Sequence, residues 1–182
     1  MAHFAEIDDS ALVEGGYEVL RIVVVGDADT CNDSGEEDES VGAAFLTDLL
    51  PGSGPWIQVS YTTHYGKRAG DEPGFRGNYP GTACLWRPDL NGDEGAFIPR
   101  KPYPSWILNT TTWVYDAPVA HPVDGLGPSY EWDEDGQEWV HNPPHPSWTF
   151  NAETLAYDPP KPHPDDGRAY DWNEATGNWN LA

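Results

Sequence analysis

The chain has 182 residues, of which 31 are acidic and nine basic, for a formal net charge of −22. That balance argues against DNA, RNA and anionic membrane surfaces as partners, because affinity for those comes largely from Lys and Arg, and it favours a basic or metal-coated partner surface. Apolar residues make up only 38%, with nine Trp and 18 Pro, so the expected core is a set of small aromatic clusters and not one broad aliphatic layer.

The opening MAHFAEIDD lacks a basic region followed by an apolar stretch, so no secretory signal is expected. The longest apolar run, Ile22 to Val25, is far too short to span a membrane. His3 to Ile7 and the β-branched Tyr17 to Val25 predict strands. Ser40 to Leu50 predicts a helix capped by Ser40, with Val41, Ala44, Phe45, Asp48 and Leu49 on one side. Trp56 to Tyr61 alternates as a strand.

The acidic stretch Asp27 to Glu39 invites a calcium-loop reading. However, Cys31 and Asn32 stand where an oxygen ligand and Gly are needed, so a solvated loop is expected. Asp89 to Gly95 is nearer that pattern but has Arg100 at position twelve, and it reads as a hairpin turn. Cys31 and Cys84 show no CxxC or metal spacing and read as free thiols. Residues 62–83 are glycine-rich and hold Lys67, Arg68 and Arg76. They predict a loop that is draped over the fold or grips an acidic neighbour.

From Pro102 onward the chain repeats. At an offset of 42, Pro-x-Pro-Ser-Trp recurs (Trp106, Trp148), as do Asn109/Asn151, Thr112/Thr154, Tyr115/Tyr157, Asp116/Asp158, His121/His163, Asp124/Asp166 and Gly125/Gly167. At an offset of 40, Tyr130/Tyr170, Trp132/Trp172, Glu134/Glu174 and Trp139/Trp179 follow. Alternation on both sides of Glu134-Asp135-Gly136, with Gly136 available for a positive φ, predicts a hairpin whose two Trp form a cross-strand or a diagonal aromatic pair. Cys84 to Ile98 is a weaker echo, giving three such hairpins. Trp106 to Tyr115 predicts a second hairpin type, and the Pro-rich connections are expected to be extended.

The fold class expected is therefore mainly β. An α+β unit (1–83) precedes a first hairpin with the first Trp/Pro repeat (84–140) and a second repeat (141–182). A lone hairpin is marginal in water, so the tryptophans are read first as core. Trp106, Trp132, Trp139, Trp148, Trp172 and Trp179 are the candidates for contact with a protein partner or for stacking on sugar rings. No catalytic constellation, cofactor motif or metal ligand set stands out, and the expectation is a non-enzyme. His121 and His163, like Ser105 and Ser147, sit at equivalent repeat positions and read as structural. Ser105 and Ser147 also lack nucleophile-elbow glycines.

The segments MAHFAEID, VVV before an acidic stretch, GAAF, WIQVSYTT, AFIPRKPYPSW, DAPVAHPVDG and YEWDEDGQEWV together resemble a family of small proteins of tailed phages that infect cyanobacteria and other aquatic bacteria. This chain differs in having a second full C-terminal repeat and a longer Leu90 to Ala96 turn. The resemblance implies a virion-associated protein made in the host cytoplasm and placed on the particle exterior, with other virion proteins of capsid or tail as partners. Adhesion to host surface polysaccharide and a role in fibre assembly are the alternatives.

Overall fold

A computed structural model describes residues 1–122, 130–151 and 153–182. The chain divides into two units, Met1–Ala117 and Pro118–Ala182. The fold is mainly β, as expected, with one α-helix among the described residues.

In the first unit, β1 (Ala2–Val13) and β2 (Gly16–Val25) form a long antiparallel hairpin, with Ala2 opposite Val25. Its two-residue turn, Glu14-Gly15, has positive φ at both positions, which suits the twist of the strands. Strand β3 (Trp56–Val59) pairs with β1, β4 (Leu85–Arg87) with β2, and β5 (Ala96–Ile98) with β4, in the order β3-β1-β2-β4-β5. The hairpin expected to stand with the first repeat is thus the edge of the N-terminal sheet, because Tyr17 lies opposite Trp86. That hairpin lies within the first unit, which ends at Ala117.

Ala5, Ile7, Val19, Val59, Trp86 and Phe97 form one buried cluster to which all five strands contribute. The two edge strands also bond to a single residue, which a flat five-stranded sheet would hold too far apart, so this sheet curls on itself. Arg76 closes the gap. Its carbonyl accepts the Phe97 N–H of β5 (3.0 Å), and its Nη1 donates to the Gln58 carbonyl of β3 (2.9 Å). The glycine-rich loop is therefore both draped over the fold and gripping an acidic neighbour, since the Arg76 guanidinium also forms a two-pronged pair with Glu39 (2.6 and 2.8 Å).

Helix α1 (Glu39–Leu49) covers a second cluster of Ala2, Phe4, Val25, Leu46 and Trp56. Its cap is Asp38, not Ser40: the Asp38 carboxylate accepts from the Ser40 hydroxyl (2.6 Å) and amide (2.8 Å), which hold its pKa below the ordinary carboxylate value. The buried side is also rotated from the expected one. Gly42 and Leu46 face the sheet, while Ala44, Asp48 and Leu49 are exposed. Gly42 sets this orientation, because a Cβ there would lie 2.3 Å from Phe4 Cζ. Replacing Gly42 with Val is expected to cost about 2–3 kcal/mol by overpacking, read from the urea midpoint.

Beyond the sheet, β6 (Ile107–Asn109) and β7 (Val114–Asp116) form a small hairpin. Its Trp113 is buried with Leu85, Ala96 and Ile98 in a third cluster. Among its described residues the second unit holds three two-stranded hairpins, β8 (Tyr130–Asp133) with β9 (Glu138–His141), β10 (Thr149–Asn151) with β11 (Ala156–Asp158), and β12 (Tyr170–Asn173) with β13 (Asn178–Leu181). Asp124 and Gly125, the first-copy members of two repeat pairs, lie outside the described residues. Cys31 and Cys84 are free thiols.

Candidate functional site

The repeated hairpins carry the six candidate tryptophans, and the two copies are built from the same bonds. Asn109 Oδ1 accepts the amides of Thr111 (2.9 Å) and Thr112 (3.2 Å), while its Nδ2 donates across the hairpin to Asp116 (2.8 Å). Asn151 does the same with Glu153, Thr154 and Asp158 (3.0, 3.2 and 2.7 Å). An Asn that bonds its own turn in this way fixes a tight reversal locally. The Trp106 amide donates to Tyr103 O and the Trp148 amide to His145 O, so Pro-x-Pro-Ser-Trp is a turn that leads into a strand.

The other hairpin type occurs three times with one aromatic directly opposite another. Trp86 faces Phe97, Trp132 faces Trp139, and Trp172 faces Trp179. The Trp–Trp pairs meet edge to face at 5.3 and 5.2 Å, a geometry favoured by the ring quadrupole. Trp132 and Trp172 are buried, and each donates its Nε1–H to the glutamate two residues on (Glu134, Glu174; 2.8 Å). Trp139 and Trp179 donate theirs to the carbonyls of Val119 (2.9 Å) and Lys161 (3.0 Å). Trp148 packs on both Trp172 and Trp179.

The structure thus places Trp132 and Trp172 inside the modules and leaves Trp106, Trp139, Trp148 and Trp179 half-buried. The histidines belong to the same packing. His121 meets Trp139 at 4.5 Å and Tyr130 at 5.6 Å, and His163 meets Trp179 at 4.7 Å and Tyr170 at 5.7 Å. In each case Nδ1 donates to the carbonyl of the following proline (2.8 Å). The Ser147 hydroxyl donates to Glu174 (3.1 Å), tying the repeat's first turn to its last hairpin. His141, which repeat matching does not single out, joins two hairpins by stacking on Tyr130 (4.4 Å) and Phe150 (4.3 Å).

The turn of the repeated hairpin differs in one respect from its expected form. The left-handed residue is Gln137 (φ 51°), not Gly136, and its counterparts two positions before the next aromatic are Gly95 (φ 73°) and Gly177 (φ 59°). Only Gln137 carries a side chain into this conformation. Gln137→Gly is therefore expected to stabilise the second unit by about 0.5–1 kcal/mol, measured as a rise in its denaturation midpoint.

Among the described residues no three His, Cys, Asp or Glu side chains form a group able to hold a metal ion. Asp89 in the Asp89–Gly95 turn is held by Arg87 through a two-pronged pair (2.8 and 2.7 Å), which lowers its pKa. Comparison with protein families, with curated proteins and with solved structures finds no match to this chain.

Proposed function

We propose that this chain is a non-enzymatic structural protein of a tailed-phage virion, an accessory subunit on the particle exterior that decorates the capsid or belongs to the tail, neck or fibre. The observation that carries the reading is the tandem module itself. In both copies polar side chains bond to the module's own scaffold: Asn109 and Asn151 to Asp116 and Asp158 across their hairpins, Trp132 and Trp172 to Glu134 and Glu174. The net charge of −22 suits an outer surface, since a subunit lining packaged DNA would be repelled by it. The resemblance to small tailed-phage proteins supports the same placement.

Mass spectrometry of purified particles, followed by cryo-electron microscopy to locate the density, tests the proposal. Stoichiometric presence on the outside is the expected result, and absence from mature virions would overturn it in favour of an assembly factor. Adhesion to host polysaccharide through the tryptophans draws on the partial exposure of Trp106, Trp139, Trp148 and Trp179. A glycan array read with Trp139→Ala and Trp179→Ala variants decides that point.

A further inference from the structure

The N-terminal unit carries an exposed aromatic ring braced from behind. Tyr61 is 60% exposed, yet its ring stacks on His3 at 5.1 Å with 30° between planes. His3 is itself held by Tyr79, whose hydroxyl lies 3.0 Å from His3 Nδ1. A large aromatic left open in this way exposes apolar surface, but its orientation is already set, so a ligand that stacks on it loses little further conformational freedom. Beside the ring is a hollow of about 310 Å³, lined also by Phe75, Gln58, Glu37 and Arg68. That volume lies at the small end of the range for small-molecule sites, and the lining is divided about evenly between polar and apolar surface.

The polar groups are positioned by the fold. Gln58 Nε2 donates to Glu37 Oε1, and both residues line the hollow, each with a second oxygen able to accept. Arg68 Nε is fixed on the Pro73 carbonyl (3.3 Å), which leaves its terminal N–H groups as donors. A sugar ring has the complementary chemistry. Its C–H face stacks on an aromatic, and its neighbouring hydroxyls both donate and accept around the edge, where planar carboxylate, amide and guanidinium groups each engage two at once. Glu37 inside the hollow and the charge of −22 disfavour an anionic ligand, and Arg68 disfavours a cationic one.

We propose that the Tyr61 hollow is a binding site for a neutral pyranose of a surface glycan, separate from the tryptophan modules. The proposal does not depend on where the chain resides. The test is NMR titration of the full chain with the methyl glycosides of glucose, galactose and mannose, and with glucuronate. The expected result is saturable shifts centred on Tyr61 and Phe75 for at least one neutral glycoside. Tyr61→Ala should weaken binding about tenfold or more, and Tyr61→Phe should keep it within about threefold. Three outcomes would overturn the proposal: no saturable shift with any neutral glycoside, shifts centred on the Trp indoles and unchanged in Tyr61→Ala, or saturation by glucuronate alone. Absence of the chain from virions would leave these results standing, so the two readings fail separately.

Discussion

Trp113→Ala is expected to destabilise the first unit by about 3–5 kcal/mol, whereas Leu155→Ala, at the same position of the second repeat, should change stability by less than about 0.5 kcal/mol. The two residues share an unusual backbone. Trp113 has φ 57° and Leu155 φ 54°, a left-handed conformation that costs a residue with a side chain roughly 1–2 kcal/mol. What differs is what covers them. Trp113 is 8% exposed and lies against Leu85, Ala96 and Ile98; Leu155 is 52% exposed. The cradle around Trp113 needs Gly66 and Gly77, where a Cβ would lie 2.0 Å from Thr111 O and 2.9 Å from Trp113 Cγ. Asn78 completes it by donating to the carbonyls of Thr112 (3.3 Å) and Trp113 (3.0 Å). The conformational cost at Trp113 is thus offset by burial of the indole. A further variant isolates the backbone contribution. Trp113→Gly removes the same ring and also relieves the left-handed conformation, so it should be no less stable than Trp113→Ala, the reverse of the usual order. Urea denaturation of the three variants provides the comparison.

Arg76→Ala is expected to cost about 2–4 kcal/mol and to loosen the curled sheet at its seam. Arg76 is 15% exposed in its side chain and Glu39 33%, so removing the guanidinium leaves a partly buried carboxylate without its main partner. It also removes the donors to the Gln58 carbonyl of β3 and the Glu94 carbonyl beside β5 (3.2 Å), and the cation over the Trp86 ring (5.5 Å). Arg76→Lys should recover only a small part of the loss, because an ammonium supplies neither the two-pronged geometry nor the planar stack. Glu39→Gln, which keeps an acceptor, should cost less than Arg76→Ala. Hydrogen exchange distinguishes this account from general destabilisation. The Gln58 and Phe97 amides, which bond to Glu39 and Arg76, should lose protection before those in the middle of β1.

How far these features can be read in the sequence depends on whether their cause is local. Strand β2 and the tandem hairpins are legible because β-branched runs, Asn turns and paired Trp act over a few residues. The extension of β1 from Asp8 to Val13 is not, since Asp8-Asp9-Ser10 has the composition of a loop and the ladder is registered only at Asp8, opposite Glu18, and at Val13, opposite Gly16, with an irregularity between them. The buried side of α1 escapes a count of apolar residues because Gly42, which has no side chain to count, marks the closest approach to Phe4. Repeat matching equates Trp113 with Leu155 and so conceals that one is buried; the difference lies in a glycine-rich loop more than thirty residues upstream. The Tyr61 hollow is invisible for the same reason, since its walls come from β1, the acidic loop, β3 and the glycine-rich loop.

The internal bonds of the repeated module also bear on how it yields to force. In the second copy the ties that hold it together (Asn151 to Asp158, Ser147 to Glu174, Trp179 to Lys161) connect residues seven, 27 and 18 apart, all within one repeat length. A chain pulled from its end would break the His141 contacts to Phe150 and Tyr157 and release that repeat while the hairpin before it kept its own ladder. The extension gained would be about 140 Å for some forty residues, less the span of the folded repeat. Such a segment would act as a shock absorber with a fixed stroke, and each unit added or removed would change the stroke by the same step.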